Sequence, residues 1–223
     1  MNSDERRDVS HAVNPEEQPF YRLGPEIVMD AVESIGYHCD GRQFPLNSYE
    51  NRVYQIGIED RQPLIGKFYR PARWSDEQIL EEHQFCFELE AHELPVVAPI
   101  RDDRGRSLFE YKDYRFALYP RRGGYGPELD NLDNLYLLGK LLGRIHAVGA
   151  VRPFVHRPTL TSRIFGHEAA ALVSEQFIPS ELKEAYDSLV RDLLQAVDQA
   201  IANAGPIDYI RVHGDCHAGN ILW

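Results

Sequence analysis

The chain has 223 residues, 43% hydrophobic and 26% charged, proportions of a globular protein with enough apolar material for one large domain or two small ones. A formal net charge of -11 excludes a sequence-independent nucleic-acid binder, because the phosphate term in such binding needs clustered Lys and Arg. No apolar run reaches the length of a membrane span, and the polar opening 1–19 lacks the apolar centre of a signal peptide, so a cytoplasmic protein with no membrane partner is expected.

In chain order, Leu23, Ile27, Val28, Ala31, Val32 and Ile35 fall at helical spacing and predict a helix stopped by Gly36. Two β-rich runs, 53–58 and 64–69, joined by the polar turn 59–63, predict a hairpin, with 46–50 as the loop leading into it. Ser75 with Gln78 three residues on is a capping-box signature. It predicts a helix through Glu90 with Ile79, Leu80, Cys86, Phe87 and Leu89 toward one side. Two further strands are predicted over 107–111 and 114–119, and the Gly-, Arg- and Pro-rich stretch 120–126 marks a boundary. Beyond it the pattern turns helical, strongly over 132–146, weakly over 162–177, and strongly again over 180–202 with Ser180 as cap. A strand-rich half followed by a helical half predicts an α+β fold of two lobes with a cleft. Cys39, Cys86 and Cys216 are far apart and odd in number, fitting neither a disulfide framework nor a zinc site, and read as free thiols.

The sharpest chemical signal is His213-Gly214-Asp215-Cys216-His217-Ala218-Gly219-Asn220. Asp215 and Asn220 stand in the spacing D-x-x-x-x-N, which kinase catalytic loops use for a proton-accepting carboxylate and a magnesium-holding amide. Lys67, on the second strand of the predicted hairpin, would present an ammonium to nucleotide phosphates. Such a lysine needs a carboxylate partner. At about 100° per helical residue Glu82 lies on the side of Ile79, Cys86 and Leu89, while Glu81 and Glu88 point nearly the opposite way. Ser48, in the glycine-free loop Asn47-Ser48-Tyr49-Glu50-Asn51, is a candidate nucleotide contact with Asn51 as a brace; an ordinary Asx turn into a strand explains the same residues. Tyr119-Pro120-Arg121 is the candidate hinge against adenine.

The stretch from His213 to Asn220 resembles the catalytic motif of the aminoglycoside phosphotransferase and choline kinase superfamily. Longer stretches, 45–54, Lys67-Phe68-Tyr69-Arg70-Pro71 with Trp74, 78–84, Val155-His156-Arg157-Pro158 and 213–223, resemble the bacterial stress response kinase A family. The resemblance implies a protein-kinase-like fold: after the tail 1–19, a nucleotide-binding lobe over 20–120 and a helical lobe over 121–223. It implies a cytoplasmic, monomeric, ATP- and Mg2+-dependent serine/threonine kinase linked to stress, with Asp215 as proton acceptor. Ser48, Lys67 and Glu82 would serve ATP and Asn220 the metal. The acceptor is a protein or a small hydroxylated molecule.

A complete site of this kind needs a second magnesium-binding aspartate on the strand after the catalytic loop. The chain stops at Trp223, so a truncated and inactive piece is expected, with 221–223 as a strand lacking its hairpin partner. Two rivals stand beside this reading. Gly214-Asp215-Cys216-His217 also resembles the GDxH element of metallophosphoesterases, with His213, Asp215 and His217 facing one metal. A nucleotide-binding module without catalysis is the other.

Overall fold

The computed structural model describes residues 18–223; residues 1–17 of the expected polar tail lie outside the described residues. The chain divides into two compact units. One holds the residues up to Glu90 together with Pro95–Tyr125 and Leu222, the other Ala91–Leu94, Gly126–Ile221 and Trp223.

The first unit is built on a five-stranded antiparallel sheet in the order β1 (Cys39–Leu46), β2 (Arg52–Ile58), β3 (Leu64–Phe68), β5 (Tyr114–Pro120), β4 (Phe109–Tyr111). Helix α1 (Pro25–Glu33) opens with proline at its first turn, where the missing N–H goes unneeded, and buries Val28, Ala31 and Val32 completely. Strands β2 (Arg52–Ile58) and β3 (Leu64–Phe68) form the expected hairpin, its turn carrying Asp60 in the left-handed region at φ 55°. Strands β4 (Phe109–Tyr111) and β5 (Tyr114–Pro120) form a second, and β5 pairs with β3.

Strand β1 (Cys39–Leu46) corrects the sequence reading, which treated 46–50 as a loop and saw no strand before it. Its sequence carries Gly41 and Pro45, and none of its side chains is buried. An edge strand needs partners on one side only, so it tolerates proline and shows no apolar alternation.

Side chains of a strand alternate between two faces, and in this sheet both are covered. Ile56, Phe68, Phe116 and Leu118 pack with Val28 and Val32 of α1, all fully buried. Gly66 permits that packing, since a Cβ there would stand 2.8 Å from Ile56 Cδ1. The opposite face carries Tyr69 and Ala117 against Ile79 of α2 (Asp76–Ala91). The capping box forms as predicted: Ser75 N–H donates to Gln78 Oε1 at 3.0 Å, and Gln78 N–H to Ser75 Oγ at 3.3 Å. The buried stripe of α2 differs from the expected one. It consists of Ile79, His83, Phe85 and Leu89, with Leu80 turned to solvent. A histidine sits where an apolar residue was sought.

In the second unit, α3 (Leu132–Gly149) starts at Asn131, whose side chain accepts from Asp133 N–H. The weak periodicity over 162–177 proves to be two segments, a π-helical turn (Arg163–Glu168) running into α4 (Ala169–Gln176). Ser180 is not the cap of α5 (Ser180–Ala204). Pro179 takes that place and Ser180 is the first helical residue, its hydroxyl on Glu181. Proline's fixed φ makes the turn without a side-chain hydrogen bond. None of the residues of α5 is buried. The strand expected over 221–223 is not formed. No helix among the described residues is long and apolar enough to cross a membrane.

Ser75→Ala removes one acceptor of the capping box and should weaken the first turn of α2 by about 1 kcal/mol. Amide hydrogen exchange is the check: the amides of residues 76–79 should exchange faster, while those of β3 and β5 stay protected.

Candidate active site

Two sets of candidate groups are assembled, one in each unit. In the first, Lys67 lies on β3 next to Phe68, so the same alternation that buries Phe68 against α1 turns Lys67 toward α2. Its Nζ stands 3.2 Å from Glu82 Oε1, the carboxylate chosen on helical geometry. The side chains are 25% and 35% exposed. A pair this wet contributes about 1 kcal/mol or less, so its effect is to aim the ammonium rather than to hold the helix.

Beneath the pair runs a polar chain the sequence reading missed. Tyr69 OH meets His83 Nε2 at 2.7 Å and Tyr119 OH at 3.3 Å, and His83 Nδ1 meets Ser107 Oγ at 2.9 Å. His83, Tyr69 and Ser107 are 1%, 2% and 3% exposed. Burial, reinforced by the neighbouring phenol and Glu82, holds the Tyr69 hydroxyl well above its ordinary range, and burial does the same to Tyr119. Both phenols keep their protons. A signal was available, since a histidine four residues after Ile79 shares its helical face.

The 47–51 loop is stiffened without glycine. Ser48 Oγ donates to the Asn51 carbonyl at 2.9 Å, and Asn51 Oδ1 accepts from Arg70 N–H at 3.3 Å. Glu50 accepts from Trp74 Nε1 at 2.7 Å and from Arg73 Nε at 3.3 Å. Ser48 therefore commits its proton inside the loop, while Tyr49 at the tip is fully exposed. Glu50 was not picked out from sequence, because only the fold brings Trp74 to it. Tyr119 and Pro120 of the expected hinge are the last two residues of β5.

In the second unit, 213–220 folds on itself. Gly214 adopts φ 79°, a left-handed conformation that any other residue between His213 and Asp215 would strain to reach. Asp215 N–H donates to His213 Nδ1 at 3.3 Å and Gly219 N–H to His217 Nδ1 at 3.1 Å. Asn220 Nδ2 donates to Asp215 twice, to its carbonyl at 2.8 Å and to Oδ2 at 2.9 Å. The sequence pair D-x-x-x-x-N is thus one hydrogen-bonded unit, with Asn220 Oδ1 turned away from the bonds its nitrogen makes. The Asn220 amide oxygen is a hard-oxygen donor of the kind Mg2+ takes, with phosphates and water completing the set, and it fits that ion. His213, Asp215 and His217 form no three-ligand group; among the described residues there is none.

The loop is anchored behind by residues the sequence reading passed over. Arg211 is 3% exposed; its N–H donates to the Gly149 carbonyl at 3.2 Å and its Nη2 to the Val148 carbonyl at 3.0 Å. A cation on the last carbonyls of α3 is favourably placed against the helix dipole. Gly149 must be glycine for this contact, since a Cβ would collide with the Arg211 carbonyl oxygen.

A family profile described as "Phosphotransferase enzyme family" (APH) matches residues 41–223. Stress response kinase A of Escherichia coli (strain K12) is 43% identical over 205 residues, 92% of this chain and 62% of its own length. A protein named serine/threonine protein kinase RdoA, from Salmonella typhimurium (strain LT2), matches with the same identity and coverage. Among solved structures, amicoumacin kinase hAmiN in complex with AMP-PNP, Ca2+ and Ami superposes with a TM-score of 0.68 at 22% identity, over 86% of this chain and 58% of that one. The chain spans about 62% of the length of the curated relatives it matches.

Gly149→Ala should displace the Arg211 backbone and cost about 1–3 kcal/mol, as overpacking in a tight contact does. Hydrogen exchange of residues 211–220 should rise, with the sheet of the first unit unchanged. Burial, with Glu33 and Asp40 nearby, pushes the Cys39 thiol up to about 11, so it is almost wholly protonated at pH 8. Iodoacetamide at that pH, followed by peptide mass spectrometry, should label exposed Cys216 well before Cys39.

Proposed function

Since this chain belongs to the APH phosphotransferase enzyme family, we propose that the whole protein transfers the γ-phosphoryl group of ATP, with Mg2+, to a serine or threonine hydroxyl of a protein. The observation that carries the reading is the double hydrogen bond from Asn220 to Asp215, at 2.8 and 2.9 Å. It fixes the Asn220 side chain against Asp215 through the amide nitrogen and leaves the amide oxygen uncommitted. The protein acceptor is supported by the serine/threonine protein kinase name of a relative 43% identical, and a role in stress by the name of another.

In this reading Asp215 receives the proton of the attacking hydroxyl, and its exposed carboxylate is open to an incoming group. Asn220 Oδ1 would hold the metal, which when bound neutralises the charge that builds on the phosphates during transfer. Lys67, aimed by Glu82, takes the α- and β-phosphates, and the Ser48 loop meets them with a hydroxyl oxygen and backbone amides. We also propose that the whole protein is a cytoplasmic monomer.

In the whole protein, Asp215→Ala should abolish transfer of label from γ-labelled ATP, and Asn220→Ala should raise the Mg2+ concentration needed for half-maximal rate. Phosphate appearing on protein serine or threonine supports the protein acceptor. Label only on a small hydroxylated compound would replace that acceptor and keep the transfer, whereas undiminished turnover in Asp215→Ala would overturn the reading.

A further inference from the structure

Glu82 explains the direction of the Lys67 ammonium along one axis only. A single ion pair between two flexible side chains that are 25% and 35% exposed leaves the lysine free to swing about its partner. The second constraint is the ring of Tyr69. Lys67 and Tyr69 are two residues apart in an extended segment, so they lie on the same face of the sheet, and Nζ stands 4.9 Å from the Tyr69 ring centroid. At that range the ring's negative face attracts a cation, with an effect that grows as water is excluded.

A ring can position a cation only if it is itself fixed. Tyr69 is 2% exposed, and its hydroxyl is held at 2.7 Å by His83 Nε2. The other nitrogen of that imidazole meets Ser107 Oγ at 2.9 Å, so the ring plane of His83 is pinned at both ends. Helix α2 carries Glu82 and His83 next to each other in sequence. One turn of α2 thus reaches the lysine by two routes, directly through a carboxylate and indirectly through an imidazole, a phenol and a π-face. This also accounts for a histidine on the buried stripe of α2, where a leucine would pack with no hydrogen-bonding requirement.

We propose that His83 is a positioning residue for Lys67: it fixes the Tyr69 hydroxyl, and the Tyr69 ring carries the Lys67 ammonium beside Glu82 in the orientation that meets nucleotide phosphates. The last clause rests on the phosphotransferase reading; the first two concern the resting geometry and stand apart from it.

The chain contains only four lysines, Lys67, Lys112, Lys140 and Lys183, which makes the geometry directly observable. Reductive methylation with 13C-formaldehyde gives one dimethyl signal for each lysine, and Lys67→Arg identifies the one from Lys67. In the unaltered protein that signal should be shifted upfield by the ring current of Tyr69. Tyr69→Leu should return it to the position of a solvated lysine. Tyr69→Phe, which keeps the ring but removes the hydroxyl that His83 holds, should move it partway, as should His83→Ala. His83→Gln, whose amide can still reach the Tyr69 hydroxyl, should restore it. The other lysine signals report whether the fold has survived. A Lys67 signal that is unshifted in the unaltered protein, or that ignores both His83→Ala and Tyr69→Phe, overturns the proposal.

Affinity for Mg-ATP, measured by calorimetry on the whole protein, tests the functional clause. Tyr69→Leu should weaken binding by roughly three- to fivefold, the range of a partly exposed cation–π contact. In a Lys67→Ala background the same change should add little, because both act through one ammonium. Equal effects in both backgrounds mean that Tyr69 serves only the packing, which overturns the inference and leaves the phosphotransferase reading intact. An unchanged affinity in Lys67→Ala itself overturns the role given to Lys67 and this clause with it.

Discussion

The two-residue period of β3 is the constraint on which the first unit turns. Phe68 faces α1 and enters a core of fully buried aromatic and aliphatic side chains, so its neighbours Lys67 and Tyr69 have to face the other way. A one-residue slip in register would exchange them, burying an ammonium and exposing a phenylalanine. Pairing on both sides, Lys67 with Val53 of β2 and with Ala117 of β5, removes that freedom. The small Ala117 leaves the lysine's side of the sheet open enough for α2 to bring Ile79 down upon it. The position of one charged atom is thereby set by hydrophobic packing on the face it does not occupy.

The second unit solves a similar problem without a sheet. Its eight-residue loop closes through hydrogen bonds of its own, from backbone amides to histidine ring nitrogens and from one amide side chain to one aspartate. A loop satisfied internally still needs fixing to something rigid. Arg211 supplies this by bonding the end of α3 with both its backbone and its guanidinium, at a point where Gly149 lets the chains touch. Rigidity lies behind the loop and exposed polar groups lie in front.

What could be read from the sequence follows from how local each signal is. The hairpin β2–β3, the capping box of α2 and the pairing of Lys67 with Glu82 rather than Glu81 all depend on spacing within one or two elements, and they stand where the spacing put them. The spacing of Asp215 and Asn220 named a pair of groups, while the two hydrogen bonds joining them needed the turn at Gly214 to be built. Strand β1 was hidden because an edge strand with Gly41 and Pro45 buries nothing, so periodicity had nothing to report. The chain from Tyr119 through Tyr69 and His83 to Ser107 joins residues as far as 50 positions apart. No local pattern links them, and each taken alone reads as an ordinary buried polar residue.

The glycine-free loop over 47–51 has a thermodynamic corollary. A glycine-rich phosphate loop is mobile when empty and must be ordered by whatever it binds, which subtracts from affinity. Here Ser48, Glu50 and Asn51 are already hydrogen-bonded to their own turn, to Trp74 and to Arg70, so most of that ordering is completed during folding. Such a loop trades adaptability for readiness. In the phosphate-binding role proposed for it, it would suit one phosphate geometry, met with little reorganisation, better than a range of nucleotides each demanding its own closure.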